Sequence, residues 1–218
     1  VRILGTDSGV SVQVNSRPCP TVHNTHRILV DVPSVAKKSF FAEEMREPFS
    51  APPGYKLVSA DVMSCQARML VEDIGDDEFT EVVVSGKKEE GTDIHSYNMN
   101  AAGLPTRGHA KNFFYGFIFG AGATKVGRLI GGGMQAGKNI IAKYLANIPK
   151  LNTLREGLEA TWKARGYLIG LDGRKIYINQ KKDLLCYMLQ SAEAMVMKIA
   201  VCLVNDWIKQ EGIGRAHV

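Results

Sequence analysis

The spacing of apolar residues predicts a chain with more helix than strand. In the segment SCQARMLVEDIG, Met69, Leu70 and Ile74 recur at helical spacing, and Gly75 follows them as the expected C-terminal cap. A long helix rich in apolar residues is predicted over residues 183–210.

Polar residues mark where other helices begin. Asp93 and Thr106 are the expected N-caps of two successive helices, because their side-chain oxygens can accept hydrogen bonds from free backbone N–H groups. Two amphipathic helices are predicted on either side of Pro149, and the second of them ends at Gly166.

Strands are predicted to be few and short. Residues 1–38 combine loop-forming residues with brief β-branched runs, and KLVSADV, residues 56–62, is a strand candidate that follows a turn signal. In YLIGLDGRKIYI, β-prone residues flank Asp172-Gly173, which is typical of the tight pair in a hairpin. Because the strands do not form repeated βαβ units, the pattern favours the α+β class.

Composition indicates a soluble protein that is not secreted. Of the 218 residues, 45% are hydrophobic, the four cysteines form no C-x-x-C pair, and the chain opens without a signal sequence. From its apolar runs, the chain is not expected to contain the roughly 20 consecutive apolar residues needed to span a bilayer. We therefore expect a cytoplasmic location without a membrane partner. Cys19, His23 and His26 have zinc-like spacing, but no fourth ligand is obvious, so zinc is not expected.

Charge changes sign abruptly along the chain. Residues 72–93 contain nine acidic residues and two lysines, whereas residues 94–155 contain no acidic residue and eight lysines or arginines. The net charge is +5 and the pI is about 9.0. A long acid-free stretch of this kind attracts phosphates, which favours a polyanionic ligand.

The segment RGHAKNFFYGFIFGAG predicts a helix suited to a nucleotide. Arg107, Lys111, Tyr115 and Phe119 recur every four residues and so share one stripe, with the cations at the N-terminal end, where the helix dipole is positive. The aromatic rings follow at the distance of a sugar and base, while three phenylalanines lie off the stripe and are expected to be buried: Phe113, Phe114 and Phe117. Taken alone, this segment is equally consistent with an ordinary amphipathic helix.

Other segments carry possible phosphate or metal chemistry. Asp61 ends the predicted strand, where a carboxylate suits Mg²⁺, and His95 is a possible further phosphate donor or simply a structural histidine. The run from Gly132 to Lys138 has the G-x-x-x-x-G-K spacing of a P-loop, but Asn139 replaces the Ser or Thr that binds Mg²⁺.

Together these segments resemble DNA polymerase family A, the polymerase I type. RGHAKNFFYGFIFGAG is similar to motif B, SADVMSCQAR to motif A, and DIHSYN to the D-x-H-x-x-N element before motif B. GLDGRKIYI and LLCYMLQSAEA resemble the later palm hairpin and the helix that touches the duplex. The matches are collinear and are most similar to bacteriophage replicative polymerases.

The resemblance implies an α+β right-hand polymerase with a palm of small antiparallel sheet and helices, helical fingers, and two Mg²⁺ ions. Asp61 and the Val62 carbonyl would bind metal. His95, Arg107 and Lys111 would hold the triphosphate, with Lys111 also protonating the pyrophosphate. Further residues would contact the nucleotide or DNA: Gln66, Tyr115 and Phe119 the nucleotide, Gln190 and Arg174 the DNA.

Several residues depart from the family pattern. Gln66 stands where motif A has Glu, whose side chain limits the space beside C2′ of the sugar, and Phe119 stands where Tyr is common. These two changes are expected to be coupled. Met63, Cys186 and His23 replace a Ser, an Asn and an Arg of the pattern.

The resemblance also implies that the chain is an internal fragment. Residues 1–75 would be palm with motif A, residues 76–166 fingers with motif B, and residues 167–218 returning palm that ends before motif C and its second metal-binding carboxylate. Primer–template DNA and dNTPs would be the partners, in the cytoplasm of a host if the source is a phage. A processivity factor is a possible further partner, and the sequence does not identify it.

Three other functions stay open at this point. A single-subunit RNA polymerase relative would share motifs A and B, although DIHSYN and the Gln190 segment favour the DNA enzyme. A non-catalytic nucleic-acid-binding module would use the same basic stripe, and a P-loop NTPase would use Lys138.

Overall fold

The structure is a computed structural model that describes residues 3–6, 9–12, 51, 53–54, 56 and 62–212. The chain divides into two compact units, Val1–Met63 and Ser64–Val218. In the first unit, β1 (Ile3–Thr6) and β2 (Gly9–Val12) pair antiparallel, with Ile3 opposite Val12 and Thr6 opposite Gly9. Two brief strands are therefore present within residues 1–38, whereas residues 13–38 and most of the predicted strand KLVSADV lie outside the described residues.

The second unit is mainly helical, as the apolar spacing predicted. In chain order it contains α1 (Cys65–Ile74), α2 (Asp77–Ser85), α3 (Ile94–Ala102), α4 (Arg107–Ile118), α5 (Ala123–Arg128), α6 (Met134–Asn147), α7 (Pro149–Arg165), β3 (Tyr167–Ile169), β4 (Lys175–Tyr177), a 3-10 turn (Lys181–Asp183) and α8 (Leu184–Gln210). Within this unit β3 and β4 form a small antiparallel sheet, and its presence among the helices confirms the α+β class.

Two helices were not predicted from the sequence. In α2, Asp76 caps the N-terminus by accepting a hydrogen bond from the Phe79 N–H at 3.0 Å, and Asp77 and Glu78 lie at the positive end of the helix dipole. Part of the acidic run over residues 72–93, which the sequence analysis considered only for its charge, therefore forms the start of a helix. The second, α5, has six residues and is too short for a periodic signal.

The predicted caps are present. Asp93 accepts from the Ser96 N–H, Thr106 accepts from the His109 N–H, and Gly75 and Gly166 end their helices in the left-handed conformation. These caps fix where α3 and α4 begin, and therefore which of their side chains face each other.

One apolar core joins the helices of the second unit. Phe113 and Phe117 of α4 pack edge-to-face against the ring of Tyr144, whose hydroxyl donates to the buried Asn98 amide oxygen at 2.9 Å. The start of α8 joins this core through Leu185 and Leu189. The large rings on the buried face of α4 thus anchor this helix in the core, with its opposite face left open.

The β3–β4 hairpin has a different turn from the one predicted. Its four-residue turn runs from Gly170 to Gly173, where the Gly173 N–H donates to the Gly170 carbonyl at 2.9 Å. The Gly170 N–H in turn donates to the Arg174 carbonyl at 2.9 Å. Leu171 and Asp172 are therefore the central residues of the turn. The prediction that Asp172-Gly173 forms the central pair is wrong. Gly173 has a φ of +77°, so glycine is needed just after the central pair.

Helix α8 is buried only at its beginning. Leu184 to Ala194 contribute buried residues, whereas Ile199, Leu203 and Trp207 are more than half exposed. By length and composition, Lys181–Gln210 is apolar enough to cross a membrane, contrary to the expectation from the sequence. The long core helix of a soluble protein meets the same criteria.

Helices α5 and α6 approach closely at glycines, which gives a stability prediction. Replacing Gly137 with alanine would put its Cβ 1.8 Å from the Ala123 carbonyl oxygen and 2.8 Å from the Gly127 nitrogen. Both atoms belong to the backbone, so the helices must separate. We expect the free energy of unfolding, measured in urea, to fall by about 2 kcal/mol or more.

Gly157 is the matched control for this change. It lies inside α7, is exposed, and has no atom within 4 Å of the Cβ that alanine would add. Gly157→Ala is expected to stabilise the protein by about 0.5–1 kcal/mol, because alanine favours the helix. Equal effects of the two substitutions would contradict the close helix approach at Gly137.

Candidate functional site

The open face of α4 carries the cations and aromatic ring that the sequence placed on one stripe. Lys111 is exposed and Arg107 and Tyr115 are partly exposed, whereas the off-stripe phenylalanines are fully or almost fully buried: Phe113, Phe114 and Phe117. The predicted division of the helix into a core face and an open face is confirmed. Phe119 lies one residue past the helix, is 42% exposed, and keeps a backbone hydrogen bond to Tyr115.

The N-terminal end of α4 is arranged to favour anions. Thr106 caps it with a hydrogen bond from the His109 N–H at 3.2 Å, and the side chains of Arg107 and Lys111 emerge from its first two turns. The helix dipole adds a partial positive charge at the same end.

Arg107 is held in place by a carboxylate on the preceding helix. Its Nε lies 3.1 Å from both Oδ1 and Oδ2 of Asp93, and its Nη2 donates to Oδ2. The same carboxylate accepts from the Ser96 hydroxyl at 2.6 Å and from the Ser96 N–H at 3.3 Å. Asp93 therefore caps α3, as predicted, and also orients Arg107, which the sequence did not indicate.

The ion pair between Asp93 and Arg107 keeps both groups charged and leaves some guanidinium N–H donors unused. Burial alone would raise the pKa of Asp93, but hydrogen bonds from Arg107 and Ser96 hold it well below its usual range. The bond to Asp93 raises the pKa of Arg107. A guanidinium has five N–H donors, so Arg107 retains donors beyond those it gives to Asp93.

His95 packs beside the middle of α4. The residue is 6% exposed, and its ring lies 6.3 Å from the Phe114 ring and 5.8 Å from the Tyr115 ring, centroid to centroid. Burial lowers the pKa of His95, and so do the nearby charges of Arg107 and Lys111, which favours a neutral imidazole.

The buried His95 also has an unused ring nitrogen. Its Nδ1 is buried and makes no hydrogen bond in the part of the chain that the structure describes. A buried polar atom without a partner is unusual in a structural histidine. The structure thus places His95 against Tyr115, on the helix whose first two turns carry Arg107 and Lys111.

Gln66 is bonded to a helix far along the chain. Its Nε2 donates to Oε2 of Glu193 at 3.0 Å, which joins the first turn of α1 to α8. Nothing in the sequence had singled out Glu193.

Of the two residues predicted to contact DNA, Gln190 lies on α8 and Arg174 is hydrogen-bonded to that helix. Arg174 Nη2 donates to the Ser191 hydroxyl at 2.6 Å, and Gln190 is the partly buried residue just before Ser191 on α8. Arg174 also pairs with Asp172, with Nε 3.3 Å from Oδ2. Of the residues that depart from the family pattern, Cys186 is buried, which raises the pKa of its thiol to about 11 and keeps it protonated, and Met63 is 71% exposed.

The predicted metal ligands are not tested by the structure. Asp61 lies outside the described residues, as do Cys19, His23 and His26, and Val62 is 41% exposed. Among the described residues, no group of three or more His, Cys, Asp or Glu side chains is placed to hold a metal.

The P-loop alternative is wrong. A P-loop follows a strand, but α5 precedes the glycine run, and the run continues directly into α6. Gly137 serves the packing of α6 against the backbone of Ala123, and Lys138 is exposed. The glycine spacing therefore reflects helix contact.

A cavity of about 570 Å³ lies at the other end of α4 and contains none of the predicted site residues. The Arg155 guanidinium sits 5.0 Å above the Phe117 ring there, and burial lowers its pKa. Because Arg107, Lys111, His95 and Tyr115 do not line it, the cavity is distinct from the candidate site.

Comparisons with known proteins agree with the motifs. The family model described as DNA polymerase family A matches residues 12–218. DNA-directed DNA polymerases of Enterobacteria phage T3 and Escherichia phage T7 are each 30% identical over 242 residues, an alignment that covers 98% of this chain and 33% of the relative. The chain thus spans about a third of the length of these relatives.

A solved structure has the same fold. It is described as the POL domain of Pol1 from M. smegmatis in complex with DNA primer-template and dNTP. Its TM-score is 0.69 at 19% identity, and the match covers 83% of this chain and 35% of that chain.

Proposed function

The chain belongs to DNA polymerase family A, and we propose that it forms the nucleotide-binding part of an enzyme that extends a primer along a DNA template with dNTPs. One observation carries the proposal: Arg107 and Lys111 lie in the first two turns of α4, behind the Thr106 cap, and the buried His95 ring packs beside Tyr115 on the same helix. Because the chain covers 33% of its phage relatives, the activity is proposed for the longer protein.

The triphosphate would lie on the cations of α4. Arg107 keeps donors beyond those bonded to Asp93, Lys111 is exposed, and the buried Nδ1 of His95 has no partner among the described residues. Lys111 would also donate a proton to the leaving pyrophosphate, because its ammonium is the exposed acid of this group. Positive charge fixed in this way stabilises the charge that develops during phosphoryl transfer.

The sugar and base would lie further along the same face. Tyr115 is one turn beyond Lys111, a rise of about 6 Å, and its partly exposed ring offers a stacking surface that accepts any base. Phe119 would extend this surface, and Gln66 would limit the space beside C2′ of the sugar.

Family A DNA polymerases are metal-dependent, and two Mg²⁺ ions are proposed for the longer protein. Asp61 and the Val62 carbonyl would be ligands within this chain, and a second carboxylate would come from outside it. When bound, the ions would supply charge that stabilises the attacking and leaving oxygens.

The primer–template would lie along the start of α8 and the β3–β4 hairpin. Gln190 on α8 and Arg174, which is hydrogen-bonded to Ser191 on the same helix, would contact the duplex. In this proposal residues 1–75 and 167–218 belong to the palm and residues 76–166 to the fingers. The protein would act in the cytoplasm, that of the host if it is from a phage.

A primer-extension assay on the full-length protein tests the proposal. With a primed DNA template, Mg²⁺ and dNTPs we expect template-directed extension, and with EDTA we expect none. The matched reaction with rNTPs should extend far less.

The other outcomes favour other functions. Extension with rNTPs alone would favour the RNA polymerase relative. Salt-sensitive DNA binding with no extension under any condition would favour a non-catalytic binding module.

A further inference from the structure

The hydrogen bond between Gln66 and Glu193 joins residues that are 127 positions apart. The bond is partly buried, with Gln66 on α1 and Glu193 on α8. A carboxylate can only accept, so Glu193 requires the NH2 end of the Gln66 amide to face it. The orientation of the amide is therefore fixed by its partner.

Fixing the amide gives Gln66 a defined polarity. A free glutamine can present either a donor or an acceptor at a given place by rotating its amide. With Nε2 held by Glu193, the other end of the group is the carbonyl oxygen. Gln66 can then present an acceptor oxygen as the glutamate of motif A would, while the negative charge resides on α8.

The hydrogen bond between Gln66 and Glu193 connects the region proposed to contact the nucleotide sugar with the region proposed to contact DNA. Gln66 is in the first turn of α1, and Glu193 lies one turn after Gln190 on α8. Helices α1, α4 and α8 share one core, in which Ala67 and Leu189 are almost fully buried. The bond therefore joins the wall of the proposed sugar site to the helix proposed to contact DNA.

We propose that Glu193 is a positioning residue that fixes Gln66 through the 3.0 Å hydrogen bond and so sets the discrimination between deoxyribose and ribose. This proposal rests on the proposed function, in which Gln66 limits the space beside C2′. A side chain held in one orientation excludes a 2′-hydroxyl better than one that rotates.

The first test compares Glu193→Ala with the wild-type full-length protein. The ratio of kcat/KM for a dNTP to that for the matching rNTP is expected to fall about fivefold, which corresponds to the loss of roughly 1 kcal/mol of orientation. Glu72→Ala, on the exposed face of α1, is the matched control and should leave the ratio unchanged.

The second test exchanges the two side chains. Gln66→Glu alone places two carboxylates in contact, which raises one of their pKa values, and it should lower incorporation more at higher pH. The double variant Q66E/E193Q restores one donor and one acceptor with the polarity reversed. It is expected to recover incorporation and discrimination relative to Gln66→Glu.

The outcomes separate the two proposals. If Glu193→Ala leaves the ratio unchanged while the melting temperature falls, or if the exchange gives no recovery, Glu193 is only structural. If the wild-type protein does not extend a primer at all, the proposed function fails, and the positioning role with it.

Discussion

Replacing Lys111 with alanine in the full-length protein is expected to lower kcat/KM for dNTP incorporation by about a hundredfold to a thousandfold, measured by single-nucleotide primer extension. Lys111 is exposed on the open face of α4, so its removal leaves the buried phenylalanines of that helix untouched. Burial and the charge of Arg107 lower the pKa of His95, and the charge of Lys111 adds to this effect. The loss should therefore come from the site and leave the melting temperature unchanged.

Arginine at the same position separates binding from proton transfer. Lys111→Arg keeps a cation for the triphosphate but is a much weaker acid, because the pKa of a guanidinium is above about 12. We expect KM to stay near the wild-type value while kcat falls by about a hundredfold. A rise in KM with unchanged kcat would show that Lys111 only binds.

Lys138 provides the matched control. It is an exposed lysine near the start of α6, in the same acid-free part of the chain. Lys138→Ala removes the same charge and should change kcat/KM by less than about twofold, since an exposed charge away from the site is screened by salt. Equal losses in the two variants would contradict the specific role of Lys111 and indicate a general field effect.

The features of the site that depend on one helix could be predicted from the sequence. Thr106 marked the start of α4, and the four-residue spacing of Arg107, Lys111 and Tyr115 placed them on one face. Both signals are local, because capping and helical periodicity involve residues within a turn or two of each other. The buried phenylalanines followed from the same periodicity.

Contacts between helices could not be predicted in this way. Asp93 was identified as a cap from its position, but its bond to Arg107 depends on how α3 packs against α4. The bond between Gln66 and Glu193 depends on α1 meeting α8. A single sequence contains no period that relates such positions, so the partners that orient the site appear only in the folded chain.

Asp93→Asn is expected to lower kcat/KM for dNTP incorporation by about thirtyfold, mainly through a higher KM. Asparagine can still cap α3, because its oxygen can accept from the Ser96 N–H. It cannot hold the Arg107 guanidinium with two anionic oxygens, and a charge-assisted bond of this kind contributes about 2 kcal/mol. A lower KM, as expected if Asp93 merely withheld Arg107 from the phosphates, would contradict the positioning role.

Two further variants separate the effect of the ion pair with Arg107 from the effect of the α3 cap. Asp93→Ala removes both the ion pair and the cap, so it should lower the free energy of unfolding by about 1 kcal/mol more than Asp93→Asn does. Asp76→Asn makes the same chemical change at the N-cap of α2, where the carboxylate accepts from the Phe79 N–H at 3.0 Å. Because α2 carries no residue of the proposed site, Asp76→Asn should leave kcat/KM unchanged.

The pH dependence of stability gives an independent check on the same pair. Burial opposes ionisation of Asp93, but the bonds from Arg107 and Ser96 outweigh it and lower the pKa of the carboxyl. A lowered pKa stabilises the fold above the unfolded value of about 3.9, and this stability is lost as the pH falls through the folded value. The difference in unfolding free energy between wild type and Asp93→Asn should therefore be constant from about pH 5 to 8 and shrink below about pH 4. A difference that grew on acidification would mean that Asp93 is not ionised in the folded protein.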